Sequence, residues 1–287
     1  FDIEEWYIEK TYYGDRKSKY IELDIVLDKI LDVLDEVNIH ATFFCLGEVA
    51  SSFPSVVKKI DQHGHEIGCH SNKHHWLNKL TLEEVVNDTS RAIDSLEQCI
   101  GKKVVSYRAP AFSIGEENKW TFEVLKNCGI ERDASVFPAI RDFGGFPSFN
   151  QKVPSLIKTN NVVLKEFPIS TIKILGSEIA YSGGGYFRFF PYSLISHLMN
   201  NQSYSMTYFH IGDLVSETKS IMSRAEYEEY FKETGSLLNR WKRYTKSNLG
   251  TKGAFAKLEK LIRSKPFISL ANADKQTDWE EVPTVVL

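Results

Sequence analysis

The sequence lacks several features that mark particular classes of protein. No stretch approaches the roughly 18–20 consecutive apolar residues that span a bilayer, so no membrane helix is expected. Neither sign of charge dominates, because the sequence has 35 lysines and arginines and 38 aspartates and glutamates, for a net charge of −3. Such a balance argues against nucleic acid or an anionic membrane as the main partner.

Cysteine is also scarce, with four residues and no CxxC pair. This pattern is typical of buried small hydrophobic residues in a reducing compartment, and it argues against a disulfide framework or a zinc ribbon. We therefore expect a cytoplasmic protein. The chain opens on Phe1 without a Met, so a signal peptide is unseen and not excluded. The glycines 183–185 do not indicate a phosphate-binding loop, because no helix with the expected lysine follows them.

The composition is that of an ordinary globular protein, with 42% hydrophobic and 25% charged residues. Along the chain, short apolar runs alternate with segments whose apolar residues recur at helical spacing. Strands are predicted over 1–4, 41–46, 65–68, 104–107, 133–136, 162–167 and 205–209. Helices are predicted over 21–37, 56–62, 81–99, 120–127 and 191–199. Parallel strands joined by crossover helices explain this alternation, and about seven units favour a (β/α) barrel over an open sheet.

Two regions depart from the alternation. Residues 139–161 contain glycines and prolines with little periodicity, which predicts a long loop or small cap over one end of the barrel. Residues 224–268 are rich in charge and helix formers, which predicts helices packed on the barrel, and the last dozen or so residues are expected to form a loose tail. We therefore expect a single domain over 1–287, with a core at 1–213 and a helical extension at about 214–275.

Five of the eight histidines lie between His63 and His75. Within that segment His70 and His74 are four residues apart, and a helical turn would place both imidazoles on one face, as a divalent metal requires of two nitrogen ligands. A polar surface loop that happens to be rich in histidine is the alternative explanation.

Asp2 and Glu4 alternate along the first predicted strand, so their side chains are expected on the same side. One could be a carboxylate ligand to a metal and the other a free base. Acidic residues at strand ends are also common without any function.

Three more polar residues, Arg108, Asp133 and His210, lie at or beside the ends of predicted strands. Each has an ordinary alternative: a surface arginine, a turn residue or helix cap, and a structural histidine. Taken together with the residues above, however, nearly all lie where barrel enzymes assemble their active sites, at the carboxyl ends of the strands. The set therefore predicts an active site.

These residues and their surroundings resemble the polysaccharide deacetylases of carbohydrate esterase family 4, the nodulation-protein homology domain. The resemblance runs from Phe1 to about Asp213, and its most specific part is the run from Gly64 to His74 (GHEIGCHSNKH). The blocks YRAPAFS at 107–113 and GGGYFR at 183–188, with the C-terminal helices, are similar to one subgroup found with genes for exopolysaccharide and O-antigen assembly. The resemblance implies that the barrel is deformed.

The resemblance also implies a role for each candidate residue. The implied roles are Asp2 as the base that activates water, Glu4, His70 and His74 as metal ligands, Arg108 as the residue that orients the base, Asp133 as the acidic residue that steadies Arg108 and His210, and His210 as the general acid. The backbone amide of Ala111 is expected to donate to the oxyanion, and substrate contacts are expected from Tyr208, Gly184, Tyr186 and Arg188. His75 is expected outside the metal shell.

The implied activity is a metal-dependent hydrolase that removes an N-acyl group, in the first place N-acetyl, from an amino sugar in cell-surface polysaccharide synthesis. One divalent ion is expected, zinc first, with cobalt or nickel as alternatives. Most members have two adjacent aspartates in the first motif, whereas here Ile3 separates Asp2 from the longer Glu4. A catalytically silent glycan-binding barrel and an allantoinase-like amidase acting on a non-sugar C–N bond stay open. The expected partner is an amino sugar or glycan.

Overall fold

The computed structural model describes residues 1–141, 144–214, 220–231 and 233–287. The strands found there are β1 (Asp2–Ile3), β2 (Thr42–Cys45), β3 (Glu66–Cys69), β4 (Ser106–Tyr107), β5 (Arg132–Asp133), β6 (Ser155–Lys158), β7 (Val163–Glu166), β8 (Thr171–Ile174), β9 (Ser177–Ala180) and β10 (Thr284–Val286). One large sheet has the order β1-β2-β3-β4-β5-β7-β6-β10, and β8 and β9 form a separate antiparallel hairpin.

Helices accompany the strands along the chain. They are α1 (Glu5–Tyr13), α2 (Lys17–Glu36), α3 (Gly47–Ser52), α4 (Pro54–Gln62), α5 (Leu82–Ile100), α6 (Thr121–Asn127), α7 (Gly184–Phe189), α8 (Tyr192–Asn200), α9 (Arg224–Phe231), α10 (Leu237–Asn248), α11 (Ala254–Ser264) and α12 (Leu270–Gln276). A capping box of Thr81 and Glu84 begins α5, and Gly101, in the left-handed region at φ 70°, ends it. Among the residues described, no helix is both long and apolar enough to cross a membrane.

The large sheet is mostly parallel, and the prediction of a deformed (β/α) barrel is confirmed. The strands β1 to β5 pair in parallel in succession, and β7 pairs in parallel with β5. On the other side of β1, the backbone N–H of Asp2 donates to the carbonyl of Phe209 at 2.9 Å. All four residues of β2 are buried, as expected of a parallel strand covered on both faces.

The predicted strand 205–209 is reduced to isolated bridges, in which Tyr208 pairs with Gly183 and His210 with Asp2. One reason is that the backbone N–H of Met206 donates to the hydroxyl of Ser170, 2.8 Å away, instead of to a strand carbonyl. The short segment nevertheless lies beside β1, and this brings His210 to the carboxyl end of that strand.

The expectation of a loose C-terminal tail is wrong. Helix α12 lies against the amino ends of the strands, where the N–H of Leu270 donates to the Thr42 hydroxyl at 2.7 Å and that of Ala271 to Glu66 at 2.8 Å. Strand β10 then extends the sheet by pairing in parallel with β6. The tail is ordered because its polar groups find partners in distant parts of the chain.

The expectation of a long loop or small cap over 139–161 is also corrected in part, although residues 142 and 143 lie outside the described part. Its second half contains β6, which pairs with β7 in antiparallel fashion. Helix α1 and the β8–β9 hairpin were not predicted. Within the region 224–268, the predicted C-terminal helices are found as α9, α10 and α11.

Candidate active site

The candidate residues meet at the carboxyl ends of the central strands. His70 directly follows β3, Arg108 directly follows β4, and Asp133 is the last residue of β5. Glu4 lies just beyond β1, where it precedes the first turn of α1. Parallel strands bring their carboxyl ends to one edge, so residues far apart in sequence become neighbours there.

Glu4, His70 and His74 form a compact group. Their potential ligand atoms all lie within 4.8 Å of one another. Oε2 of Glu4 is 3.3 Å from Nε2 of His70 and 2.7 Å from Nε2 of His74. A carboxylate and two imidazoles are a donor set that suits zinc and related divalent ions, and they leave coordination positions open.

The two histidines are not brought together by a helical turn, so that part of the sequence reasoning is wrong. Residues 70–76 form an irregular bend in which Ser71 and His74 have positive φ angles of 69° and 59°. The hydroxyl of Ser71 accepts a hydrogen bond from the N–H of His74 at 3.1 Å. This local turn, costly for residues other than glycine, places His74 beside His70.

The surroundings of His70 fit a bound cation. Its Nδ1 lies 2.7 Å from the carbonyl oxygen of Arg108, so the proton belongs on Nδ1 and the lone pair on Nε2. That Nε2 and Oε2 of Glu4 are buried without a hydrogen-bond partner among the described residues. Two electron-pair donors that face each other require a positive group between them, and a divalent metal ion supplies one.

Glu5 and His75, which adjoin the ligands in sequence, do not join the ligand group. Oε1 of Glu5 accepts a hydrogen bond from the N–H of Gly212 at 2.7 Å, so Glu5 is engaged away from the three ligands. His75 is exposed and is not part of the group. Both placements agree with Glu4 as the carboxylate of the site.

Asp2 and Arg108 form a buried ion pair beside these ligands. Nη1 of Arg108 lies 2.8 Å from Oδ1 of Asp2, and both side chains are 2% exposed. Burial alone would raise the pKa of Asp2, but the Arg108 guanidinium and the nearby imidazoles outweigh it and lower this pKa to about 2. Asp2 is therefore ionised at neutral pH, as a base must be.

His210 lies beside Asp2, with Nε2 3.7 Å from Oδ2 of Asp2 and 3.9 Å from Oε1 of Glu4. Its Nδ1 is 3.1 Å from Oδ2 of Asp213. Burial lowers the pKa of His210, but Glu4, Asp213 and Asp2 together raise it well above 6.5. His210 is thus poised to carry a proton next to the reacting groups.

Asp213 is a residue that the sequence reasoning missed. Its other oxygen, Oδ1, is 3.8 Å from Nε of Arg188, which is buried. Arg188, which was expected to contact the substrate, therefore lies next to Asp213, the carboxylate that contacts His210. The sequence spacing could have indicated this contact, because Asp213 follows His210 by three residues and a side chain at that distance can contact the histidine.

The contacts of Asp133 differ from those implied by the resemblance. Its Oδ1 accepts a hydrogen bond from the Ser135 hydroxyl at 2.6 Å, and its cross-strand neighbour is Glu166. Arg108 is held by Asp2 and by the carbonyl of Ala134, at 3.3 Å from Nε, and His210 by Asp213. Asp133 thus supports the site through Ser135, whereas direct contact with the arginine or the histidine was expected.

The remaining candidates are Ala111, Tyr208, Gly184 and Tyr186. Ala111 lies in a tight turn at φ 52°. Tyr208 is buried with its ring edge-on to Phe112, 5.0 Å between centroids. Gly184, at φ 53°, lies so close to the Tyr208 ring that a Cβ would be 2.9 Å from it, whereas Tyr186 is 45% exposed at the rim. The structure brings Tyr208 and Gly184 together and leaves Tyr186 facing outward.

Two family models match this chain. Residues 21–132 match the model described as polysaccharide deacetylase, and residues 134–275 match one described as a domain of unknown function, DUF3473. His70, His74 and Arg108 lie in the first matched region, whereas His210 and Asp213 lie in the second. The site is therefore assembled from both regions.

Curated relatives and one solved structure agree with this match. The peptidoglycan-N-acetylglucosamine deacetylase of Bacillus cereus is 40% identical over 96 residues, which cover 33% of this chain and 35% of that protein. The peptidoglycan-N-acetylmuramic acid deacetylase PdaC of Bacillus subtilis is 31% identical over 90 residues, 31% of this chain and 19% of that one. The matches therefore span about a third or less of these relatives.

A Mycobacterium smegmatis crystal structure, assigned provisionally to the polysaccharide deacetylases, superposes with a TM-score of 0.60 at 17% identity. The superposition covers 91% of this chain and 80% of that one, and it shows a shared fold.

Proposed function

Because the chain carries a polysaccharide deacetylase domain of carbohydrate esterase family 4, we propose that it is a metal-dependent hydrolase that removes an N-acetyl group from an amino sugar of a cell-surface polysaccharide. The observation that carries this proposal is the group formed by Glu4, His70 and His74, with Asp2 and His210 next to it. Zinc is the first candidate for the metal, and cobalt and nickel suit the same ligands.

The proposed chemistry divides between these residues. A divalent ion held by Glu4, His70 and His74 would polarise the acyl carbonyl and lower the pKa of water. Asp2 accepts the proton of the attacking water, and its buried pair with Arg108 keeps it ionised for that purpose. His210 donates a proton to the departing amine, because the unprotonated amine is a poor leaving group.

Two further groups complete the site. Asp213 orients His210 through Nδ1, so that Nε2 faces the ligands and Asp2. The N–H of Ala111 belongs to the tight turn after Pro110, and we assign it to the developing oxyanion. Tyr208 and Gly184 bound the space left for the acetyl methyl group, where the aromatic ring excludes larger acyl groups.

A groove beside the metal ligands supports a glycan substrate. It has a volume of about 930 Å³, adjoins His74, and is lined by the rings of Tyr7, Tyr12, Trp76 and Phe231. Aromatic rings offer flat apolar faces with polar edges, which suit the faces of sugar rings. The volume lies at the upper end of the range for small-ligand pockets, so we propose several linked sugars as the substrate.

We also propose that residues 1–287 form one domain, since His210 and Asp213 are needed to complete a site that begins at Asp2. The region 134–275 would then have no separate activity of its own. The cytoplasmic location expected from the cysteines stays a prediction.

Acetate release tests the proposal. The metal-loaded protein is incubated with N-acetylglucosamine oligomers and with a nucleotide-linked N-acetyl sugar, and separately with allantoin, for which ring opening to allantoate is measured instead of acetate. We expect acetate from the oligomers, its loss in chelator, and a fall of about 10²–10⁴-fold in Asp2→Asn with metal content retained. His197→Gln, an exposed histidine on α8 away from the ligands and the groove, is the matched control. Oligomer binding without acetate release would indicate the silent glycan-binding barrel, and turnover of allantoin alone would indicate the amidase.

A further inference from the structure

A pair of carboxyl groups lies behind the site and has no place in the mechanism above. Asp133 ends β5 and Glu166 ends β7, and the two residues are direct cross-strand neighbours. Both are fully buried. Within the described ranges, no lysine, arginine or histidine nitrogen lies within 4.0 Å of either carboxyl group, so neither has an ion-pair partner.

The hydrogen bonds to the two groups are unequal. Oδ1 of Asp133 accepts from the Ser135 hydroxyl at 2.6 Å, and Oε1 of Glu166 accepts from the N–H of Val136 at 3.1 Å. The second oxygens, Oδ2 of Asp133 and Oε2 of Glu166, are buried with no donor among the described residues. Two adjacent acceptors without a donor cannot both be ionised at low cost, and one proton between them satisfies both.

The surroundings indicate which group holds that proton. The N–H groups of Ala134 and Ser135 also favour the ionised form of Asp133, whereas Glu166 has the single N–H of Val136. The charged and titratable groups that face the pair are Arg108, Tyr107 and Tyr204. Burial and the adjacent Asp133 raise the pKa of Glu166 well above its usual range, although Arg108 opposes them.

The pair is connected to the reacting region by one hydroxyl group. Ser135 donates to Asp133 and its oxygen accepts the N–H of Ala109 at 2.8 Å. Ala109 directly precedes Pro110 and the tight turn at Ala111. A hydrogen-bonded chain therefore leads from Glu166 through Asp133 and Ser135 to the segment that presents the proposed oxyanion donor.

We propose that Glu166 is a positioning residue, whose neutral carboxyl group donates a hydrogen bond to Oδ2 of Asp133 and thereby fixes the Ser135–Ala109 connection to the oxyanion turn. Its effect on turnover rests on the proposed deacetylase function, but its protonation does not. Loss of the proton would place two negative charges side by side and release the turn.

Three variants test this inference. Glu166→Gln keeps a neutral group, because its amide N–H₂ can donate to Asp133 and its oxygen can accept from Val136. Glu166→Ala removes the donor. Glu178→Gln is the control, because Glu178 is partly exposed, is paired with Lys152, and has a lowered pKa.

The first measurement is the infrared carbonyl band of neutral carboxylic acid at pH 7. We expect the wild type and Glu178→Gln to show a band that is absent from Glu166→Gln. The second is proton uptake on folding. Between the usual pKa of 4.5 and its raised value in the folded state, Glu166 makes the folded protein bind one more proton than the unfolded chain, so stability falls as pH rises through that range. Glu166→Gln should bind about one proton fewer on folding than the wild type.

The third measurement is turnover. We expect Glu166→Ala to lower kcat by about 10- to 100-fold with little change in KM, because a loosened turn affects the transition state most. Glu166→Gln should restore most of kcat and move the alkaline fall in activity to higher pH. A band and a proton uptake unchanged in Glu166→Gln would overturn the proposal even if Glu166→Ala failed to fold. Absence of any deacetylase activity would instead count against the proposed function, since the first two measurements do not depend on it.

Discussion

Removal of the Arg108 guanidinium should both destabilise the fold and raise the pKa of Asp2. The guanidinium donates to Asp2 and to the carbonyl of Ala134, and it lies over the ring of Phe44, 4.3 Å from its centroid. In Arg108→Met the apolar stacking is largely kept, but the ion pair and the hydrogen bonds are lost. The buried carboxylate of Asp2 is then uncompensated.

The size of the effect follows from that burial. Loss of one partner of a buried ion pair costs about 3–5 kcal/mol, which for a chain of this length lowers Tm by on the order of 10 °C. The lowered pKa of Asp2, about 2 against 3.8, corresponds to roughly 2 kcal/mol, which is the net of burial, opposing ionisation, and of the Arg108 and imidazole charges, favouring it. Arg108→Lys should lose less, because an ammonium keeps the charge but cannot reproduce the forked contacts.

The pH dependence has a definite sign. Because the pKa of Asp2 is lowered in the folded state, its contribution is present above pH 3.8 and is lost as pH falls towards 2. Without Arg108, burial raises the pKa of Asp2 in the variant, so its Asp2 takes up a proton at a higher pH than that of the wild type. The stability gap between the wild type and Arg108→Met should therefore be large at pH 7 and clearly smaller at pH 3. Denaturant unfolding in the presence of a chelator measures the gap without compensation by a bound cation.

Arg263→Met provides the matched control, since Arg263 pairs with Glu36 and Glu259 on the exposed surface. Such pairs contribute at most about 1 kcal/mol. The reasoning would be refuted if Arg108→Met cost no more than Arg263→Met, or if the gap were the same at pH 7 and at pH 3.

Three other predictions concern the site. Glu4→Gln should weaken metal binding sharply, and titration calorimetry that finds unchanged affinity would move the carboxylate ligand elsewhere. Asp213→Asn should lower kcat by about 10²-fold with metal content retained, because His210 loses the group that orients it; a variant that turns over at the wild-type rate would contradict this role. Gly183→Ala should lower stability by about 1–3 kcal/mol in thermal unfolding, because its Cβ would lie 2.4 Å from both the ring and the backbone oxygen of Tyr208. Gly185→Ala, whose nearest contact would be 3.6 Å, is the control, and equal losses in the two variants would argue against this close packing.

The sequence was most informative where a polar residue follows or ends a short apolar run that predicts a strand. His70, Arg108 and Asp133 could be placed because short buried strands precede or contain them, and parallel strands bring such positions to one edge. The position of β1 followed from the same logic, although that strand has only two residues. The family resemblance then supplied roles that spacing alone left open.

Local conformation was harder to predict. A spacing of four residues suggested a helical turn for His70 and His74, but the chain instead bends through positive φ angles at Ser71 and His74. Positive φ angles are uncommon outside glycine, and although histidine adopts them more often than most residues, the sequence does not indicate where. They are held by contacts made after folding, such as the N–H of His74 on the Ser71 hydroxyl.

Residues that act through partners were missed for a related reason. Glu166 meets Asp133 only because β5 and β7 are neighbours in the sheet, with β6 placed outside them. The predicted consecutive strands over 133–136 and 162–167 already implied that these two would be neighbours. The sequence did not indicate the register, which sets Asp133 directly beside Glu166.

The C-terminal helix connects these observations with the chemistry. Asp274 on α12 accepts from Arg132 at 3.2 Å and binds Lys165, and so links the helix to β5 and β7. The next residues along the same two strands are Asp133 and Glu166. A cavity of about 280 Å³ is lined by Leu270 and Ala273 of α12 and by Arg108. Helix α12 therefore adjoins the candidate site in two ways, through the strands that carry the buried carboxyl groups and through the arginine that keeps Asp2 ionised.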